Sequence, residues 1–302
     1  MLTIVSLVFF FIIGKSLDGE AQRTVNQMYP RNKQGVILGN ESVVIQQDEN
    51  NQAIVLMHGF LDTPKVYSKV IQELKNRGVH ADIYAPLLPK HGMNLESAAS
   101  LNNQEVLDFV AGFLNDLSEQ YDCITVNGFS YSGAILTELA LEKRLPKNIH
   151  LILEAPAIHI RPNTKSNRIR NQVYGLWRNY CNYETFGCNR TFQGYTTDVQ
   201  EEMLNEDSLM FKIVSSVNQL FDLDLSLRDR MSFIRIPHSV LISQQDNRVN
   251  YQEVAQECQQ NIEFCNLYTF PKGSHMLHYG NNREKFIDIL LKHLQCTKHA
   301  SQ

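Results

Sequence analysis

The sequence predicts an α/β fold: a mostly parallel central sheet with helices on both faces and a cap inserted late in the chain. Three observations carry this. Continuous apolar runs recur along the chain, as expected of strands buried on both faces. Amphipathic segments of helical period alternate with them. One stretch near the middle breaks the alternation and then lets it resume. With 302 residues, 43% of them hydrophobic, the chain can bury one large core. Its formal net charge of −4 gives no reason to expect nucleic acid as a partner, because phosphate binding needs a clustered basic face.

The chain opens on MLTIVSLVFFFIIG, an apolar run ending at Lys15. It is shorter than the roughly 20 residues that span a bilayer as a helix. Its length suits a secretory signal, and Gly19-Glu20-Ala21 offers a small-x-small cleavage site, although no basic residue precedes the run. Residues 1–21 are therefore expected to be a signal peptide or N-terminal anchor, and the protein to be exported. Residues 22–302 form the mature domain. Export makes disulfides available to the six cysteines. Cys181 and Cys188 form one closely spaced pair, Cys258 and Cys265 another, and both read as short local bridges. Cys123 opens an apolar strand and reads as a buried free thiol.

SVVIQQ and AIVLMHG read as the first strands, separated by the polar turn DENNQ. Asp62-Thr63-Pro64 supplies a helix start, a capping side chain followed by proline. The helix carries Val66, Val70, Ile71 and Leu74 on one face and stops at Arg77-Gly78. HADIYAP is the next strand, and Leu101 to Ser118 the next helix. CITVNG (strand), YSGAILTELALEKR (helix) and HLILEAP (strand) follow. The pattern lapses from about 157 to 235, the expected cap insertion. HSVLIS (strand), NYQEVAQEC (helix), EFCNLYTF (strand) and REKFIDILLKHL (helix) complete the domain.

The chemistry gathers at strand ends, where open α/β sheets build their sites. NGFSYSG, residues 127–133, joins a strand to a helix and places Ser130 on the sharp turn. Such a turn demands small neighbours two residues either side, and Gly128 and Ser132 satisfy it. Gly133 permits close packing of helix on strand. A serine nucleophile needs a base, and the base an orienting carboxylate. Asp246 follows the strand HSVLIS, and His275 follows the strand NLYTF. His278 competes with His275 for the base, but the small Gly273 and Ser274 give His275 the tighter turn. An oxyanion hole needs two main-chain N–H groups. Tyr131, just after the nucleophile, and Phe60, in the loop after AIVLMHG, are placed to donate them. His58 and the pair His91-Gly92 read as loop-shaping, and Asp222 and Asp224 as solvated or capping acids. The remaining histidines have no carboxylate assigned to them by topology.

HGFLDTP, YAPLLPKHG, GFSYSG, DNRV and GSHML follow one another as in the α/β-hydrolase superfamily. Over about residues 50–156 and 236–295 the chain resembles monoacylglycerol lipases, lysophospholipases and small bacterial carboxylesterases. The resemblance implies an α/β-hydrolase fold, with Ser130 as nucleophile, Asp246 as acid, His275 as base, and Phe60 and Tyr131 as oxyanion donors. Three positions depart from its usual glycines: Ser132, Lys90 and Ser243.

The expected activity is hydrolysis of a carboxylic ester through an acyl-enzyme, with no metal or organic cofactor. The same triad would serve an amidase, peptidase, thioesterase or acyltransferase, and a silent hydrolase-fold binding protein is the reading from another class. The expected partner is a small acyl ester or lipid. In the cap, Leu209, Ile213, Val217 and Leu220 form a stripe that reads as core packing or, alternatively, as an acyl-pocket lining. Arg161, Lys165, Arg168 and Arg170 read as a solvated basic face, with contact to a membrane surface as the alternative. Asn40-Glu-Ser and Asn189-Arg-Thr match the glycosylation sequon.

Overall fold

The computed structural model describes residues 29–47, 50–161 and 214–294, with residues 23 and 27. Its strands are β1 (Val43–Ile45), β2 (Gln52–Met57), β3 (Asp82–Ala85), β4 (Cys123–Phe129), β5 (Ile149–Glu154), β6 (His238–Ser243) and β7 (Cys265–Phe270). They form one sheet in the order β1-β3-β2-β4-β5-β6-β7. Only β1 runs antiparallel to its neighbour; the other five pairings are parallel. The order reverses between β2 and β4, and that switch point opens a crevice at the carboxyl ends of those strands.

The continuous apolar runs are explained by the two faces they serve. In β2, Ala53, Val55 and Met57 join one core cluster with α3 (Asn103–Ser118) and α4 (Tyr131–Leu141). Ile54 and Leu56 join the other, with α1 (Ser68–Asn76) and α7 (Arg283–Lys292). A helix on either side leaves none of these five β2 positions in contact with water, so alternation of polar and apolar residues is lost. The remaining α-helices among the described residues are α2 (Leu95–Ala99), α5 (Val214–Leu227) and α6 (Tyr251–Gln260).

The insertion's described flanks belong to the body. Leu223, Leu227, Met231 and Ile234 are buried in the same core cluster as β4 and β5. Asp224 is fully buried, accepting from the Ile160 amide at 3.3 Å and pairing with Arg228 at 2.8 Å, so it is not a solvated acid. Asp222 is exposed as expected. His159, on the segment leaving β5, lies between Glu253 (3.1 Å) and Glu257 (2.5 Å) of α6. Glu257 also accepts the amides of Asp229 (3.0 Å) and Met231 (2.7 Å), where the insertion returns. One buried carboxylate thus ties both ends of the insertion to the same helix, and His159 is not a histidine without an acid.

Cys258 and Cys265 are bridged, as expected. Several other local expectations are corrected. Cys123 is disulfide-bonded rather than free, to a partner outside the described residues. The helix after β2 begins as a 3-10 turn at Pro64–Tyr67 without a side-chain cap. Thr63 instead donates its hydroxyl to Asn40 Oδ1 at 3.1 Å. Asn40 is fully buried in that contact, so the first sequon is a packing element and not a glycan acceptor. Arg161 is held by Val249 O, Asn250 and Gln252. Residues 1–21, Cys181, Cys188, Asn189, Lys165, Arg168, Arg170, Leu209 and Ile213 lie outside the described residues. Val217 and Leu220 are half-buried, and Leu220 packs on the core.

Candidate active site

The turn from β4 into α4 is built by absence of side chains. A Cβ on Gly128 would lie 2.5 Å from a Leu136 methyl and 2.9 Å from the Ser132 backbone. A Cβ on Gly133 would lie 2.9 Å from Gly128 O and 3.0 Å from Pro156. The helix can therefore start directly over the strand end, and Ser130 takes the strain, with φ 52° and ψ −106°. Its amide donates to Glu154 O at 2.8 Å and its carbonyl accepts from Ala134 and Ala157, which fixes the strained turn from both sides.

His275 stands between the two other members of the constellation. Its Nε2 is 2.9 Å from Ser130 Oγ. Its Nδ1 is 2.8 Å from Asp246 Oδ2. With Nδ1–H donated to the acid, Nε2 is left as acceptor toward the serine hydroxyl. The other Asp246 oxygen accepts the amides of Arg248 (2.8 Å) and Val249 (2.9 Å). Burial alone would raise the Asp246 pKa, but His275 and those two amides together outweigh it and hold the carboxyl below its usual value. Three loops, after β4, β6 and β7, are thus brought to one point.

The loop after β2 is locked by His58, which is fully buried. Leu88 N donates to its Nε2 at 3.1 Å, so Nδ1 carries the proton and donates to Gly59 O at 3.0 Å. Burial, then the neighbouring His91, push its pKa well below the ordinary value and keep the ring neutral. His91 in turn contacts Pro89 O at 2.8 Å, the loop-shaping role expected of it. Phe60 follows this locked segment, and its ring meets that of Tyr131 edge-on at 5.9 Å. Tyr131 opens α4, and first-turn amides of a helix have no carbonyl of their own helix to bond.

The three departures from glycine each carry a structural task. Ser132 donates to His58 O at 2.5 Å, joining the elbow to the loop after β2. Ser243 donates to Gly273 O at 2.7 Å and accepts from Gln245 N at 3.0 Å, joining the acid loop to the base loop. Lys90 adopts φ 67°, the conformation a glycine would take without strain, and lies 3.4 Å from Glu105.

Two partnerships at the site had no signal in the sequence. His278, the competing base, faces Glu154 at 2.7 Å and not Ser130. Both side chains are fully buried, and the acid that claims this histidine stands 124 residues earlier in the chain. Asp62, expected as a helix cap, instead places its carboxyl near both histidines. Burial pushes its pKa up to about 6, against the pull of His278 and His275.

Comparison with curated proteins returns no match. Among solved structures, the fold is similar to a monoacylglycerol lipase from Paleococcus ferrophilus, with TM-score 0.64 and 16% identity over 83% of this chain and 98% of that one. It is similar to a monoglyceride lipase from Saccharomyces cerevisiae, with TM-score 0.62 and 15% identity over 88% and 99%. An esterase from Exiguobacterium antarcticum gives TM-score 0.59 and 15% identity over 84% and 94%. At such identities the likeness is one of fold. The sequence itself matches the alpha/beta hydrolase family over residues 54–289, a span that runs from β2 to α7 and takes in all five expected site residues, so the chain is a member of that family.

Proposed function

We propose that the protein is a serine ester hydrolase acting on an acyl ester or lipid. The observation that carries this reading is His275 lying 2.9 Å from Ser130 Oγ and 2.8 Å from Asp246. Ser130 Oγ attacks the acyl carbonyl as its proton passes to His275 Nε2. Asp246 keeps the imidazole in the right tautomer and stabilises the imidazolium. The Phe60 and Tyr131 amides receive the oxyanion, at the N-terminal end of α4 where the helix dipole adds to them. The tetrahedral intermediate collapses as His275 returns the proton to the departing alcohol oxygen. Water, deprotonated by the same nitrogen, then releases the carboxylic acid and frees Ser130.

The ester and lipid substrate class is favoured by the family and by the lipase and esterase folds it resembles. Export is part of the proposal, with residues 1–21 as leader or anchor; the Cys258–Cys265 bridge fits an oxidising compartment. No helix among the described residues is long and apolar enough to cross a membrane. The test is a panel of p-nitrophenyl esters, monoacylglycerols, anilides and acyl thioesters. Turnover of the esters above the others is the expected result. Turnover of anilides or thioesters alone would move the activity to an amidase or thioesterase.

A further inference from the structure

Glu154, the last residue of β5, is fully buried beside the nucleophile elbow, and the proposed chemistry makes no use of its carboxylate. In the sheet it is the register partner of Phe129, the residue before Ser130. Its main-chain carbonyl accepts the Ser130 amide at 2.8 Å. Its side chain reaches the other half of the site. Oε1 accepts from Leu277 N at 2.8 Å, His278 N at 3.1 Å and His278 Nδ1 at 2.7 Å. Oε2 accepts from Asn127 Nδ2 at 3.2 Å. Asn127 also donates to the Tyr67 hydroxyl at 2.9 Å, which donates to Met57 O of β2 at 3.1 Å.

We propose that Glu154 is a positioning residue: it fixes the His275 loop and the Ser130 turn against each other. This rests on the reading of Ser130 as nucleophile and His275 as its base. Two of the three donors on Oε1 are main-chain amides, two and three residues beyond His275, so the carboxylate holds the path of the loop. His278 completes the anchor as a filler. Its ring packs among Tyr67, Phe129, Tyr279 and Phe286, with centroids 4.7 to 6.0 Å away. Its Nε2 is buried with no hydrogen-bond partner among the described residues. A buried carboxylate–imidazole contact is a weak stabiliser on balance, because desolvation offsets its attraction. Its geometry is worth more here: a displacement of about 1 Å at a reacting group costs roughly 100-fold in rate.

The test is Glu154→Gln in the full chain. Glutamine keeps the shape and one acceptor oxygen, but the amide nitrogen that replaces the other oxygen opposes the Asn127 donor. The expected result is a kcat on p-nitrophenyl butyrate lowered by about 10- to 100-fold, with KM within about twofold and thermal unfolding little changed. The rate of fluorophosphonate labelling falls in parallel. His278→Phe, which keeps the aromatic packing and removes the Nδ1 contact, is expected to lower kcat in the same sense. A folded variant with wild-type kcat, or a loss confined to KM, overturns the proposal. Unfolding of both variants assigns the pair to stability and overturns it too. The reading of Ser130 fails separately, by a folded wild-type protein that takes up no fluorophosphonate.

Discussion

Ser130, Asp246 and His275 were legible because each follows an apolar strand directly, and the topology of a parallel sheet sends all such ends to one edge. Glu154 ends a strand, and nothing local marked its contacts. A charge at a strand end reads as the solvated start of a loop unless its partner, here His278, is known. The same distance in sequence hid the tie from His159 to Glu253 and Glu257. Asp246 accepts two main-chain amides besides His275, so its position does not depend on its charge. Asp246→Asn is therefore expected to fold normally and to lower kcat by about 10⁴-fold, because the imidazole is left in the wrong tautomer. Steady-state kinetics with circular dichroism checks this, and unchanged turnover would point to another carboxylate.

At the scale of elements, the strands were placed to within two residues at either end, since an apolar run flanked by turn residues has few alternatives. HSVLIS is β6 without adjustment. A helix that went unread is α2, five residues long, which is too short to display a helical period. The helical turn does start at Pro64 as read, but its side-chain cap was misjudged for a different reason: the Thr63 hydroxyl had a better partner in Asn40, far back in the chain. The elbow's glycine at 128 was read correctly as a demand for space. Gly128→Ala would drive a methyl into Leu136 and the Ser132 backbone. Overpacking of this kind costs roughly 1–3 kcal/mol. Urea denaturation should show that loss, and an unchanged midpoint would mean that the turn relaxes more freely than its contacts allow.

Across the whole molecule, charge changes bear on stability in opposite directions. His150 stacks on His293 at 3.9 Å, and both contact the Ser239 hydroxyl. Burial first, then the charges of His293 and His238, push the His150 pKa down to about 3. His293 and His238 are lowered as well, chiefly by burial. The unfolded chain then binds more protons than the folded one below the ordinary histidine value of about 6.5. Stability contributed by these rings is present above about pH 6.5 and is lost as pH falls toward 3. His159 has the opposite sign. Burial lowers its pKa, but Glu257 and Glu253 outweigh that and raise it, so its contribution is lost as pH rises through the raised value. Between pH 6.5 and pH 4, His150→Gln should lose about 1–3 kcal/mol less stability than wild type in chemical denaturation. Equal losses would mean that the stacked pair stays neutral in both states.

The proposed function stands on Ser130 as a nucleophile made reactive by its neighbours. Its most direct test is exposure of the folded protein to a fluorophosphonate, followed by peptide mapping by mass spectrometry. A single phosphonyl adduct on Ser130, absent from Ser130→Ala and slowed in Asp246→Asn, is the expected result. A folded wild-type protein left unmodified, or modified equally after Ser130→Ala, would contradict it.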